Sequence, residues 1–241
     1  IREGWDMAAA KTKILMLTHR SLADRQGYGS LPAVFKYNDS YTKMEDPLIA
    51  FFKEVLEPAC AAFHMRKYGE MFAILGTRGS FIQNPADKKR WSESMNGLFE
   101  LRKVGTVGDV LSYLRKEDRP RLPDSIERRY RELTEYKPIP EEEMPRQLSE
   151  LESLLKVPYG EIIALVRYLS GHSPFETKHG VKGAEFDNVL VVIGRGWNLY
   201  NFNEMLELAA DPNHIPTNKR AAFERNRNLF YVCCSRPRNR L

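Results

Sequence analysis

The sequence predicts an α/β fold with a parallel sheet flanked by helices, on three observations. KILMLT, Lys13 to Thr18, is a short apolar run of the kind that fills a buried parallel strand. NVLVVIG, Asn188 to Gly194, is a second continuous apolar run and suits the centre of a covered sheet. The third observation is the long amphipathic stretches that separate these runs, with apolar residues at helical spacing and few β-branched clusters. At 241 residues and 42% hydrophobic content, the chain can bury one large core or two small ones.

Taken in order, the first strand is preceded by the polar Lys11 and Thr12, and the residues after Thr18 begin the turn into a helix. From about Tyr37 to Val157 the character becomes charged and amphipathic, which predicts a mostly helical insertion over 37–157. Phe51, Phe52, Val55 and Leu56 recur at helical spacing there, as do Val110, Leu111 and Leu114 behind Thr106, a residue type that caps helices. KPIPEEEMPR, Lys137 to Arg146, has three prolines and three successive glutamates, so it reads as an extended connector. Two helices follow. One carries Leu148, Leu151, Leu154 and Leu155; the other carries Ile162, Ile163, Leu165, Val166 and Leu169, with Gly171 placed to end it. After the second strand, a last helix runs from about Asn218 to Cys234.

Lys and Arg outnumber Asp and Glu by 37 to 32, a balance that permits a polyanionic partner. Cys60, Cys233 and Cys234 have no zinc-binding spacing, and three is an odd number for a disulfide framework, so a cytoplasmic, reducing compartment is expected. No apolar run approaches the roughly 18 residues of a membrane span, and the N-terminus has no signal-peptide pattern. A membrane partner is therefore not expected.

Three segments carry chemistry. In TKHGVKGAEF, Thr177 to Phe186, the residues Thr177, Lys178 and His179 fall where a strand should end, the usual ligand edge of an open α/β sheet. A hydroxyl, an ammonium and an imidazole there can grip a phosphodiester backbone without reading its sequence. Gly180 and Gly183 permit close backbone approach and positive φ. NLFYVCCSR, Asn228 to Arg236, is a helix anchored by Leu229, Val232 and Phe230 that delivers Arg236 at its end. LTHRSLADR, Leu17 to Arg25, places Arg20, a permanently charged planar fork, at a helix start.

In this order the three segments resemble motifs of the second motor domain of UvrD/Rep-type superfamily I DNA helicases. The resemblance implies a RecA-like domain over 1–36 and 158–241, with 37–157 as an accessory insertion that meets duplex junctions. It implies that Thr177, Lys178, His179 and Lys182 touch single-stranded DNA. It also implies an ATP site in which His19 faces the adenine, Arg20 reaches the terminal phosphate, Gly183 lets the turn come close to the nucleotide, and Glu185 accepts from the ribose hydroxyl. Arg236 would be the arginine finger, a role worth roughly 10³ to 10⁵ in rate in related phosphoryl-transfer systems. Arg20 and Arg236 are thus the catalytic candidates. Two departures stand out: His19 replaces a larger aromatic residue, and Pro237 follows the finger where the family has a small residue. That proline requires the helix to end at or before Arg236.

The family's phosphate loop, GxxxxGK[ST], does not occur in this sequence, and AAAKT, Ala8 to Thr12, lacks its glycines and precedes a strand. The loop and the acidic Mg²⁺ site belong in the family to the first motor domain. The chain, which starts at Ile1 and stops just after the last motif, accordingly reads as a fragment that is inactive alone. The parent is expected to be a 3′–5′ ATP-dependent helicase or translocase. The alternative is a helicase-derived DNA-binding scaffold of a repair or defence complex without ATP turnover, and a basic α/β module for RNA or protein is a third reading. Trp197, Tyr200 and Phe202 suit core packing, with base stacking as their other use. Arg225 and Arg227 suit a solvated face, with phosphate contact as the alternative. His64 and His172 have no ligand-like companions.

Overall fold

The computed structural model describes residues 4–16, 19–76, 82–138, 142–177, 183–192 and 200–241, with the side chains of residues 16–21 and 177 outside that description. In chain order the elements are β1 (Thr12–Met16), α1 (His19–Gln26), α2 (Leu31–Val34), α3 (Asp39–Thr42) and α4 (Pro47–Phe51). A π-helical turn (Phe52–Leu56) leads into α5 (Glu57–His64). Then come α6 (Tyr68–Ile74), α7 (Pro85–Val104), α8 (Val107–Glu117), α9 (Asp124–Glu135), α10 (Arg146–Leu155) and α11 (Tyr159–Leu169). The chain closes with β2 (Phe175–Thr177), β3 (Phe186–Val191), α12 (Phe202–Ala209), α13 (Thr217–Cys234) and β4 (Pro237–Arg240). They form two compact units, Ile1–Gln26 with Arg167–Leu241, and Gly27–Val166. Among the described residues no helix is long and apolar enough to cross a membrane.

The discontinuous unit is α/β. Its four strands run in the order β2-β1-β3-β4, every neighbouring pair parallel. Thr12, Lys13, Ile14 and Leu15 of β1 are all buried, as a central strand's residues should be. Leu15 and Val189 lie on the face that Cys233 of α13 closes, with Phe186 and Val191 packed against them. Leu190, one residue on and so on the opposite face, is 39% exposed. The apolar run at 188–194 therefore does not mean burial on both faces. Beyond the sheet, α12 and α13 share a core of Phe202, Met205, Phe223 and Leu229, so Phe202 takes the core use, with Tyr200 beside it; Trp197 lies outside the described residues. Gly171 ends α11 with φ +74°, and the amides of Gly171 and His172 donate to the carbonyls of Tyr168 and Arg167. That pairing is a Schellman cap, whose left-handed position favours glycine.

The Gly27–Val166 unit is helical. The predicted stripe at Phe51–Leu56 is buried at Phe51, Phe52 and Leu56, but its middle is a π turn in which the Glu57 amide donates to the Phe52 carbonyl. Pro58 explains it: proline lacks an N–H and would clash with the carbonyl four residues back, and the wider turn relieves that clash. Behind it Arg102 pairs with Glu57 through two hydrogen bonds, the Nε contact at 2.9 Å, and Tyr159 donates to the same carboxylate at 2.8 Å. These groups are buried together, so each satisfies a charge or donor that would otherwise be costly. Thr106 caps α8 within a capping box completed by Asp109.

Candidate functional site

The α13 helix ends at Cys234, two residues before Arg236, as Pro237 requires. Its anchor in the sheet core is Cys233, fully buried, rather than Val232. Arg236 then turns back over the helix end. Its Nε donates to the Val232 carbonyl at 3.0 Å, one of those a helix C-terminus leaves open, and its Nη2 donates to Ser235 Oγ at 2.9 Å. Its Nη1 reaches the Ala184 carbonyl at 3.4 Å, in the loop that carries Gly183 and Glu185. The Arg236 carbonyl in turn accepts from the Phe186 amide at 3.0 Å, where β3 and β4 begin to pair.

Gly183 sits in this loop at φ +79°, a left-handed conformation that glycine adopts without steric cost. Glu185 follows, with its carboxylate accepting from Arg238 Nε at 3.1 Å. Both side chains are well exposed. Phe186 lies beneath, with the Lys13 ammonium 5.5 Å from its ring centroid, and Lys13 also donates to the Ser173 carbonyl at 3.2 Å. The loop at 183–185 and the segment 236–238 are thus brought together at the N-terminal ends of β3 and β4.

The remaining sequence-predicted residues are positioned by backbone only. His19 and Arg20 open α1, three residues past the C-terminal end of β1, and Thr177 closes β2 opposite Met16. These lie past the opposite ends of the strands from Arg236, a separation of roughly 13 Å along a five-residue strand. The side chains of His19, Arg20 and Thr177 lie outside the described residues, as do Lys178, His179 and Lys182 entirely. Arg225 and Arg227 lie over the rings of Tyr200 and Phe223, at 5.9 and 5.7 Å from their centroids. His64 stacks on Phe99 in the other unit. Sequence reasoning missed Arg238; its only signal is the repetition of arginine in SRPRNR.

The sheet, with every neighbouring pair of strands parallel, defines the fold and not the function, and the usual ligand edge of such a sheet is the C-terminal ends of its strands, opposite the end where Arg236, Gly183 and Glu185 meet. The chain is similar over 66 residues, at 41% identity, to Gabija protein GajB of Bacillus cereus (strain HuB5-5); the aligned stretch is 26% of this chain and 9% of that protein. The likeness supports a helicase-like relation in general. No family model matches the chain, and no solved structure does.

Proposed function

We propose that the chain is the second motor domain of an ATP-dependent DNA helicase or translocase of the UvrD/Rep type. One observation carries the proposal: the loop at Gly183–Glu185 and the end of α13, some 50 residues apart in sequence, are joined through Arg236 and the Ala184 carbonyl. The residue types there suit a nucleotide. A carboxylate can accept from a ribose hydroxyl, and a guanidinium fork can donate to phosphate oxygens where charge develops. In this reading Arg236 is the finger, and Thr177, Lys178, His179 and Lys182 hold the backbone of single-stranded DNA; the adenine and phosphate roles that the resemblance gives His19 and Arg20 need a nucleotide that spans the strands, because α1 opens past the ends opposite Arg236. Mg²⁺ accompanies ATP and is held, with the phosphate loop, by a first motor domain elsewhere in the full-length protein, which acts in the cytoplasm. The insertion 37–157, within the helical unit Gly27–Val166, serves as the accessory subdomain toward duplex junctions, and travel is 3′ to 5′.

A scaffold reading, in which the cleft no longer turns over, draws on the same guanidinium. Arg236 already directs Nε, Nη1 and Nη2 at acceptors of its own unit, the pattern of a structural arginine. ATP hydrolysis by the full-length protein, with and without single-stranded DNA, separates the two. DNA-stimulated turnover supports the motor; DNA binding without turnover supports the scaffold.

A further inference from the structure

Glu185 is held by a residue that belongs to none of the three motifs. Arg238 Nε donates to its Oε2 at 3.1 Å, and among the described residues this is the hydrogen bond that orients the carboxylate. The backbone beneath the pair is fixed, because the Phe186 amide is bonded to the Arg236 carbonyl and Pro237 has a locked φ. The ladder also carries one extra residue in β4. Phe186 pairs with Pro237, but Asn188 pairs with Arg240, so Arg238 and Asn239 together stand opposite Asp187. A bulge of this kind re-aims a side chain that regular alternation would send elsewhere.

We infer that Arg238 is a positioning residue: it orients Glu185 toward a ribose hydroxyl and so sets the preference of the site for ribonucleotides over deoxynucleotides. The inference rests on the nucleotide reading given above. Two physical arguments support it. The pair is exposed, 61% at Arg238 and 58% at Glu185, so a ligand can reach the carboxylate and the ion pair adds little to folding. A bare carboxylate would also repel an incoming triphosphate, whereas one paired with a guanidinium keeps an oxygen free to accept while its charge is offset.

The test is equilibrium binding of ATP, 2′-deoxyATP, 3′-deoxyATP and ADP to the full-length protein, comparing wild type with Glu185→Gln, Arg238→Ala and Arg238→Lys. Wild type should prefer ATP over one deoxy analogue by about tenfold, the scale of a hydrogen bond to a charged group. Arg238→Ala should reduce that preference to about two- to threefold and leave the ATP-to-ADP ratio unchanged, with Arg238→Lys restoring part of it. Equal weakening of all nucleotides in Arg238→Ala would make it a phosphate contact and overturn the inference. An unchanged preference in Arg238→Ala, alongside its loss in Glu185→Gln, would overturn it while leaving the nucleotide reading intact. No preference in wild type would remove the ribose role of Glu185 itself.

Discussion

Arg236 reaches the carbonyl of Ala184, 52 residues earlier, while its other donors close the end of the helix it follows. The same guanidinium therefore links two segments of the unit, bonded to the residue that precedes Glu185. Removing it leaves the Val232 and Ala184 carbonyls without this donor. Arg236→Ala should cost about 1–2 kcal/mol in denaturant-induced unfolding, and Arg236→Lys less, because an ammonium restores one bond and not three. An unchanged midpoint in Arg236→Ala would show that the side chain is free of the loop.

Gly183 holds φ +79°, and among the described residues nothing stands within 4 Å of where a Cβ would be. A side chain there meets the conformational strain of a left-handed φ. Gly183→Ala should cost about 1–2 kcal/mol with no change in the denaturant slope, and a neutral result would mean the turn can relax into another conformation.

Burial pushes the Cys60 thiol up to about 12, against the opposing pull of the Arg102 charge, and burial likewise raises the Tyr41 phenol to about 12. Both groups keep their protons in the folded state when the unfolded chain would lose them. Their contribution is whole below the unfolded values, about 9 for a thiol and 10 for a phenol, and is lost as pH rises through 12. Stability should fall between pH 9 and 12, and Cys60→Ala should flatten the lower part of that decline. An identical alkaline slope in the variant would remove Cys60 as a cause.

Asp109 behaves in the opposite sense. The Thr106 amide, then the Thr106 hydroxyl, hold its carboxyl below the usual value of 3.8. Its contribution is present above that value and is lost as pH falls through the depressed one. Asp109→Asn should blunt the acid destabilisation that sets in below the ordinary carboxyl value of 3.8, and Thr106→Ala should cost about 1 kcal/mol at neutral pH through the lost cap. Equal acid limbs in wild type and Asp109→Asn would contradict the capping box.

What was legible in the sequence is what local physics specifies. The strand Thr12–Met16, overlapping the run expected at Lys13–Thr18, whose last two residues lie outside the described ones, the helix ending at Cys234, the cap at Thr106 and the stop at Gly171 all follow from apolar spacing or from one residue's conformational preference. The strands β2 and β4 do not. FET and PRNR are short edge strands whose pairing comes from backbone hydrogen bonds to their neighbours, with no apolar pattern to announce them. Pro237 is tolerated because it opens an edge strand. The π turn before Pro58 and the exposure of Leu190 likewise depend on what packs nearby, which periodicity does not encode. At the site, the resemblance picked out Gly183, Glu185 and Arg236, but their joining at one sheet edge needed the β3–β4 register. Arg238 was invisible because its partner lies 53 residues away and no motif includes it.

The central claim is that Arg236 acts on a nucleotide. Its most direct test is the steady-state ATP turnover of the full-length protein with single-stranded DNA, in wild type and Arg236→Lys, at a temperature where both are folded. The account predicts that turnover falls by roughly 10³-fold or more in the variant while ATP binding stays within a few-fold. Turnover that survives the substitution would contradict it and leave Arg236 as a tie between a helix end and a loop.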